Sequence, residues 1–321
     1  MKPNTEIPIF FSIDDAYAPF LAVALNSVIK NSSPERRYRA IVLYRDVSDD
    51  NISRISALAS GRDNFRIDFV PMENGMESIT DRMSNRLRCD YFTLTIYFRL
   101  FIPAMFPQYQ KGIYIDSDVV LCRDVAELYD IDIKDNYIGA CSDLSVADVP
   151  ELVDYMENAV GVKKNEYINS GVLLMNLDAL RKADLEGHFL SLLSTYHFDC
   201  IAPDQDYLNA LCNGRIYYLD EIWDAMPNDN NPPLENAALI HYNLFSKPWC
   251  YDGIQYADLF WNYARDSGYM DEIRKYKDGY SEEQKRSDRE CLGLLIKRGS
   301  SIVSNDVTFR KLHDSGVKIR L

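Results

Sequence analysis

The chain has 321 residues, 47% of them apolar and 26% charged, which is enough hydrophobic material for one large α/β domain or two small ones. A formal net charge of −14 repels polyanions at long range and argues against broad binding to a nucleic-acid backbone. Seven cysteines scattered from Cys89 to Cys291, with no Cys-x-x-Cys pair, argue against a disulfide framework or a zinc knuckle.

The first residues, MKPNTEIPIF, have neither a basic start followed by an apolar stretch nor a small-residue cleavage site, so the chain reads as unexported and cytoplasmic. Ile7 to Ile13 is a short run of β-formers, and Ala18 to Lys30 then spaces Phe20, Val23, Ala24, Ser27 and Val28 along one helix face. Pro19 suits the first helical turn, where its missing N–H costs nothing, and Asn31-Ser32-Ser33-Pro34 ends the pattern. The alternation returns with Arg39 to Tyr44 as a strand, Ser48 as an N-cap, Ile52, Ile55 and Leu58 as a helix face, and Phe65 to Val70 as a strand. This rhythm predicts a parallel sheet. Leu100 to Phe106 is apolar, but it contains Pro103 and falls far short of the roughly 18 residues a membrane span needs. Further apolar runs at Gly112 to Ile115, Tyr137 to Cys141, Val172 to Asn176, Ile216 to Leu219 and Ala238 to Tyr242 are expected to extend the sheet.

Helical spacing resumes after Gly253. Residues 271–321 carry 12 basic against 9 acidic side chains, unlike the acidic body. We therefore divide the chain into a main domain at 1–265 and a helical tail at 266–321. The tail reads as surface helices closing the domain, with a peripheral contact to the inner face of an anionic membrane as the alternative.

Three Asp-x-Asp patterns occur, at Asp116-Ser117-Asp118, Asp130-Ile131-Asp132 and Asp204-Gln205-Asp206. Only the first directly follows an apolar strand, so only it reaches the carboxyl-end crevice where open α/β sheets bind ligands. Two carboxylates there repel each other unless a cation lies between them, and a divalent cation would also neutralise a diphosphate. Downstream, His241 and Lys247 lie six positions apart in HYNLFSKPW, a spacing that lets one ligate a metal while the other meets phosphate oxygens. Two oxygen ligands with one nitrogen suit manganese better than calcium, with magnesium as an alternative.

With these segments in order, the chain resembles glycosyltransferase family 8. The resemblance runs through FFSIDDAYAPFLAVALNSV, TIYFRLFIP, GIYIDSDVVL, IGACSD, YINSGVLLMNL, PDQDYLN and HYNLFSKPW, and covers most of residues 7–249. It implies a GT-A fold, that is, a single Rossmann-like, mixed but mainly parallel sheet flanked by helices, with the tail as an appendage. It also implies a UDP-sugar donor, a saccharide acceptor in lipopolysaccharide or another cell-surface glycan, and retention of anomeric configuration. Asp116, Asp118 and His241 match the metal ligands. Ser12, Asp14, Ala16 and Tyr17 fall in the nucleotide loop, and Arg99, Ser117, Asn169, Leu244 and Lys247 complete the donor-binding set. Asp143, Asp204 and Gln205 match catalytic positions around the donor sugar. Ala16 replaces a polar residue seen in some members, and Leu244 stands where a glycine often approaches the phosphates.

Retention requires either a covalent glycosyl-enzyme or a same-face attack in which the departing phosphate accepts the acceptor's proton. The weak basicity of the Gln205 amide favours the second. Two rivals stand beside this reading. Asp116-Ser117-Asp118-Val119 also fits a haloacid-dehalogenase phosphatase motif, although about a third of the chain precedes it. A catalytically silent module that binds a sugar nucleotide or glycan would carry nearly the same sequence. Ser145 to Lys164 is expected to be an acceptor-side loop.

Overall fold

The computed structural model describes residues 5–72, 94–228 and 231–321; Cys89 lies outside them. Strand β1 (Glu6–Ile13) is followed by helix α1 (Ala18–Asn31), strand β2 (Arg37–Tyr44), helix α2 (Asp49–Ser56) and strand β3 (Phe65–Pro71). Each boundary has a local cause. The Asp14 carboxylate accepts from the Tyr17 amide, Pro19 sits in the first turn of α1, and the Ser48 side chain accepts from Asn51 N to cap α2. Arg37 to Tyr44 pairs in parallel with both β1 and β3, as crossover helices between strands require.

Helix α3 (Phe98–Met105) leads to β4 (Gly112–Ile115), which joins β1 in parallel. After it come β5 (Val119–Leu121), α4 (Val125–Asp130), β6 (Ile138–Ala140), α5 (Pro150–Tyr155) with a π-turn at Met156–Val160, and β7 (Val172–Met175). The expected loop at 145–164 therefore contains a helix. Helices α6 (Leu177–Lys182), α7 (Leu185–Tyr196) and α8 (Pro203–Leu211) precede β8 (Ile216–Tyr218). The seven-stranded sheet runs β3-β2-β1-β4-β7-β6-β8. Strand β7 is antiparallel to both neighbours and every other pairing is parallel. This is the mixed, mainly parallel sheet of a GT-A fold.

One expected strand does something else. Leu239–His241 (β9) does not extend the large sheet; it pairs antiparallel with β5 in a separate two-stranded sheet. The chain leaves the large sheet at Asp116-Ser117-Asp118, so the apolar run that follows offers a second free edge, and all six paired residues are buried. Val119 faces His241 in this register, and Tyr242 N donates to Asp118 O at 2.9 Å. That pairing ties the end of the histidine strand to the acidic turn.

The sheet separates two apolar layers. On one side α1 packs over β5 and α9 (Ala257–Ala264), and on the other α3, α7 and α8 form a layer rich in aromatic residues. The remaining helices are α10 (Met270–Gly279), α11 (Glu282–Val303) and α12 (Phe309–Asp314). Helix α10 reaches α1, whereas α11 lies along α5 and α12 against the π-turn. Ile273 thus belongs to the first layer, and Leu295, Ile302, Phe309 and Ile319 belong to the second. No described helix is long and apolar enough to cross a membrane.

Candidate functional site

A cleft of about 350 Å³ opens where β1, β4 and the loop after β9 end. Its size falls in the usual range for small-molecule sites. Every donor-binding and metal-binding residue anticipated from the sequence lines it: Ser12, Asp14, Ala16 and Tyr17 on one wall, Arg99, Asn169, Asp204 and Gln205 on another, and Asp116, Ser117, Asp118, His241, Leu244 and Lys247 around the floor. Asp143, expected to be catalytic, is the exception. It lies one layer behind, where its Oδ2 accepts from Asn169 Nδ2 at 3.2 Å and Gln205 Nε2 at 2.9 Å.

At the floor, single ligand atoms from Asp116, Asp118 and His241 all lie within 4.8 Å of one another. His241 Nε2 is 3.3 Å from Asp118 Oδ1 and 3.9 Å from Asp116 Oδ2. Two carboxylates from one turn and an imidazole from a separate strand fit a divalent ion. The other Asp118 oxygen accepts from Lys247 Nζ, which also donates to Tyr242 O at 2.8 Å. Burial works against ionising Asp118, but Lys247 and His241 outweigh it and hold the carboxyl far below its usual range. Burial also disfavours a charged His241, yet Asp118 and Asp224 reverse that and raise it to about 10. A ligating imidazole is neutral at the bonding nitrogen, so an ion and a proton compete for Nε2.

Asp116 is fixed from three directions. Its backbone N donates to Gly171 O at 2.7 Å, and its Oδ1 accepts from Arg99 at 2.8 Å and from Tyr114 OH at 2.8 Å. Burial keeps the Tyr114 phenol protonated, so it donates to Asp116 and accepts in turn from Ser12 Oγ at 2.6 Å. Arg99, only 4% exposed, bridges Asp116 to Asp204, at 3.2 Å from the latter, and stacks its guanidinium over the Tyr114 ring. Burial alone would lower the pKa of Arg99, but the two aspartates overcome it and strengthen its charge.

Asp204 and Gln205 occupy the first turn of α8, a helix buried along its whole length. Ser170 Oγ donates to Asp204 Oδ2 at 2.9 Å, and Ser170 N donates to Gln205 Oε1 at 3.1 Å. With Nε2 on Asp143, the Gln205 amide is held at both ends in one orientation. Leu244 adopts φ +49°, the left-handed conformation that glycine takes most easily. The side chain departs from the family pattern while the backbone keeps the glycine shape.

In the other two Asp-x-Asp patterns, Asp204 lines the cleft, whereas Asp130 and Asp206 make structural contacts elsewhere. Asp130 pairs with Arg36 at 2.7 Å, and Asp206 is buried between Tyr155 OH at 2.8 Å and Tyr167 OH at 2.6 Å. Sequence reasoning missed Thr95, Ile96, Ser170, Asn243 and Phe245 in the lining, and Asp224 behind His241. Ser170 could have been found, because Asn169-Ser170-Gly171 is a polar break directly before an apolar strand. Asp224 carries no such signal, since nothing in its spacing links it to His241.

Comparison with known proteins shows the family and the fold. The family model described as "Glycosyl transferase family 8" matches residues 8–253. A putative glycosyltransferase of Haemophilus influenzae is 29% identical over 224 residues, covering 70% of this chain and 64% of that protein. The lipopolysaccharide 1,2-glucosyltransferase of Escherichia coli K12 is 24% identical over 259 residues, covering 74% of this chain and 71% of the enzyme. Among solved structures, the galactosyltransferase LgtC in complex with donor and acceptor sugar analogs superposes with a TM-score of 0.68 at 28% identity, over 81% of this chain and 95% of that one. The family model spans the Asp116-Ser117-Asp118 turn, which removes the phosphatase alternative.

Proposed function

Because the chain belongs to glycosyltransferase family 8, we propose that it is a retaining hexosyltransferase that moves glucose or galactose from a UDP-sugar to a saccharide acceptor, in lipopolysaccharide or another cell-surface glycan. The observation that carries this reading is the convergence of Asp116, Asp118 and His241 at the floor of a cleft whose opposite wall is the loop after β1. Such loops at strand ends are where α/β sheets receive nucleotides. Tyr17 offers an aromatic face to the uracil there, and Asp14 a carboxylate to its edge.

Asp116, Asp118 and His241 would hold a divalent ion, manganese by preference and magnesium as the alternative, which would supply positive charge against the diphosphate leaving group. Lys247 adds a second positive charge on the same side, where it stabilises the developing negative charge more in the transition state than in the ground state. Arg99 holds Asp116 and Asp204 in fixed relation, so the metal ligands and the sugar-facing carboxylate move as one unit. Asp143 fixes the amide plane of Gln205 and so acts by positioning. The tethered, neutral Gln205 amide is a weak nucleophile, which supports same-face attack. Trapping a glycosylated peptide that contains Asp204 or Gln205 with a slow donor would refute that step.

The test is a screen of UDP-sugars for hydrolysis with manganese present, followed by addition of saccharide acceptors to the best donor. Asp118→Asn and His241→Ala are expected to lower turnover by about 100-fold or more, in line with the loss of a charge-stabilising group, with cooperative unfolding retained. Unchanged turnover in either variant sinks the assignment.

A further inference from the structure

Asp224 stands directly behind the histidine of the acidic floor. Its Oδ1 is 2.9 Å from His241 Nδ1, and its side chain is fully buried. Backbone contacts set this pairing independently of the side chains. Ala225 N donates to Leu239 O at 3.0 Å, and His241 N donates to Ala225 O at 2.9 Å, so the segment after Trp223 runs alongside β9 in fixed register. The second oxygen, Asp224 Oδ2, is buried and meets no hydrogen-bond donor among the described residues. A buried carboxylate with one oxygen unpaired is costly, and among the described residues His241 is the ion-pair partner of the ionised group. Stability alone gives no reason to keep an acid at this position.

We propose that Asp224 is a positioning residue for the metal site: by accepting the Nδ1 proton it fixes the tautomer and ring plane of His241, so that the Nε2 lone pair faces Asp116 and Asp118. An imidazole has one lone pair when neutral, and the nitrogen that carries the proton is decided by the acceptor it meets. Asp118 also attracts a proton to Nε2, so without Asp224 the ring is free to present N–H toward the floor, where an ion cannot bind. The oriented carboxylate also raises the basicity of the ligating nitrogen. This inference rests on the metal-binding reading given above.

The two ideas separate in titrations of the full chain with Mn2+ alone, followed by electron paramagnetic resonance. Asp224→Ala is expected to weaken Mn2+ binding by about 10–100-fold, the usual cost of removing an outer partner of a ligating histidine. Asp224→Asn keeps an oxygen acceptor for Nδ1–H and is expected to restore binding to within several-fold of the parent. Wild-type affinity in Asp224→Ala overturns the positioning role while leaving the metal site intact. Failure of the parent chain to bind Mn2+ defeats the underlying reading and the inference with it. Should Asp224→Ala fail to fold, 15N histidine spectra of the Mg2+-loaded parent decide the matter: Nδ1 protonated on His241 supports the role, and Nε2 protonated overturns it.

Discussion

A Cβ built on Gly171 would lie 2.3 Å from His241 Cε1 and 2.8 Å from Asp116 Oδ2. Those distances are below any tolerable contact, and neither neighbour can retreat, because His241 is held by Asp224 and Asp116 by Arg99 and Tyr114. Glycine is needed here for close approach. Gly171→Ala is therefore expected to cost about 1–3 kcal/mol of stability as an overpacked site and to weaken Mn2+ binding more than tenfold. A calorimetric titration checks this, and parent-like affinity would show that the floor rearranges freely. Leu244 takes a positive φ, a backbone form that glycine adopts more easily than leucine.

At the scale of elements, the tie between the end of α4 and the turn before β2 has a pH signature. The Asp130 carboxylate at the end of α4 accepts two bonds from Arg36, at 2.7 and 3.0 Å, and these hold it below the usual carboxylate range. A carboxyl depressed in the folded state contributes stability above its unfolded pKa of about 3.9 and loses that contribution as pH falls through the lower folded value. Both partners are part-exposed, so screening keeps the contribution under about 1 kcal/mol. Denaturant melts of Asp130→Asn should show a small loss at neutral pH that closes as the pH falls through the depressed folded-state value. A deficit that persists or grows in acid would mean that the charge is irrelevant. The β5–β9 pair is the element on which the site depends, because it brings the histidine strand to the acidic turn.

For the whole molecule, we propose that the boundary near 265 separates the catalytic unit from a helical tail on which that unit's packing depends. Leu295, Ile302, Phe309 and Ile319 are buried in the layer that contains α5 and α8. Each such side chain contributes about 1.5–3 kcal/mol on burial, and the four together approach the about 5–15 kcal/mol that a typical domain has in total. Removing 281–321 is expected to abolish cooperative unfolding or to give an aggregating chain; a truncated protein that melts like the parent would make the tail a true appendage. The sequence by itself determined the alternation of strands and helices through β3, the later strands β4, β6, β7 and β8 of the large sheet, the acidic turn after β4 and the late histidine and lysine, because periodicity, caps and ordered motifs are local signals. Only the tertiary structure decided that β9 leaves the large sheet, that Asp143 stands behind the cleft and that Asp224 backs the histidine. Lys247 and Asp118 meet across 129 positions of sequence, and contacts of that kind are made by edge pairing and burial, which leave no periodic trace along the chain.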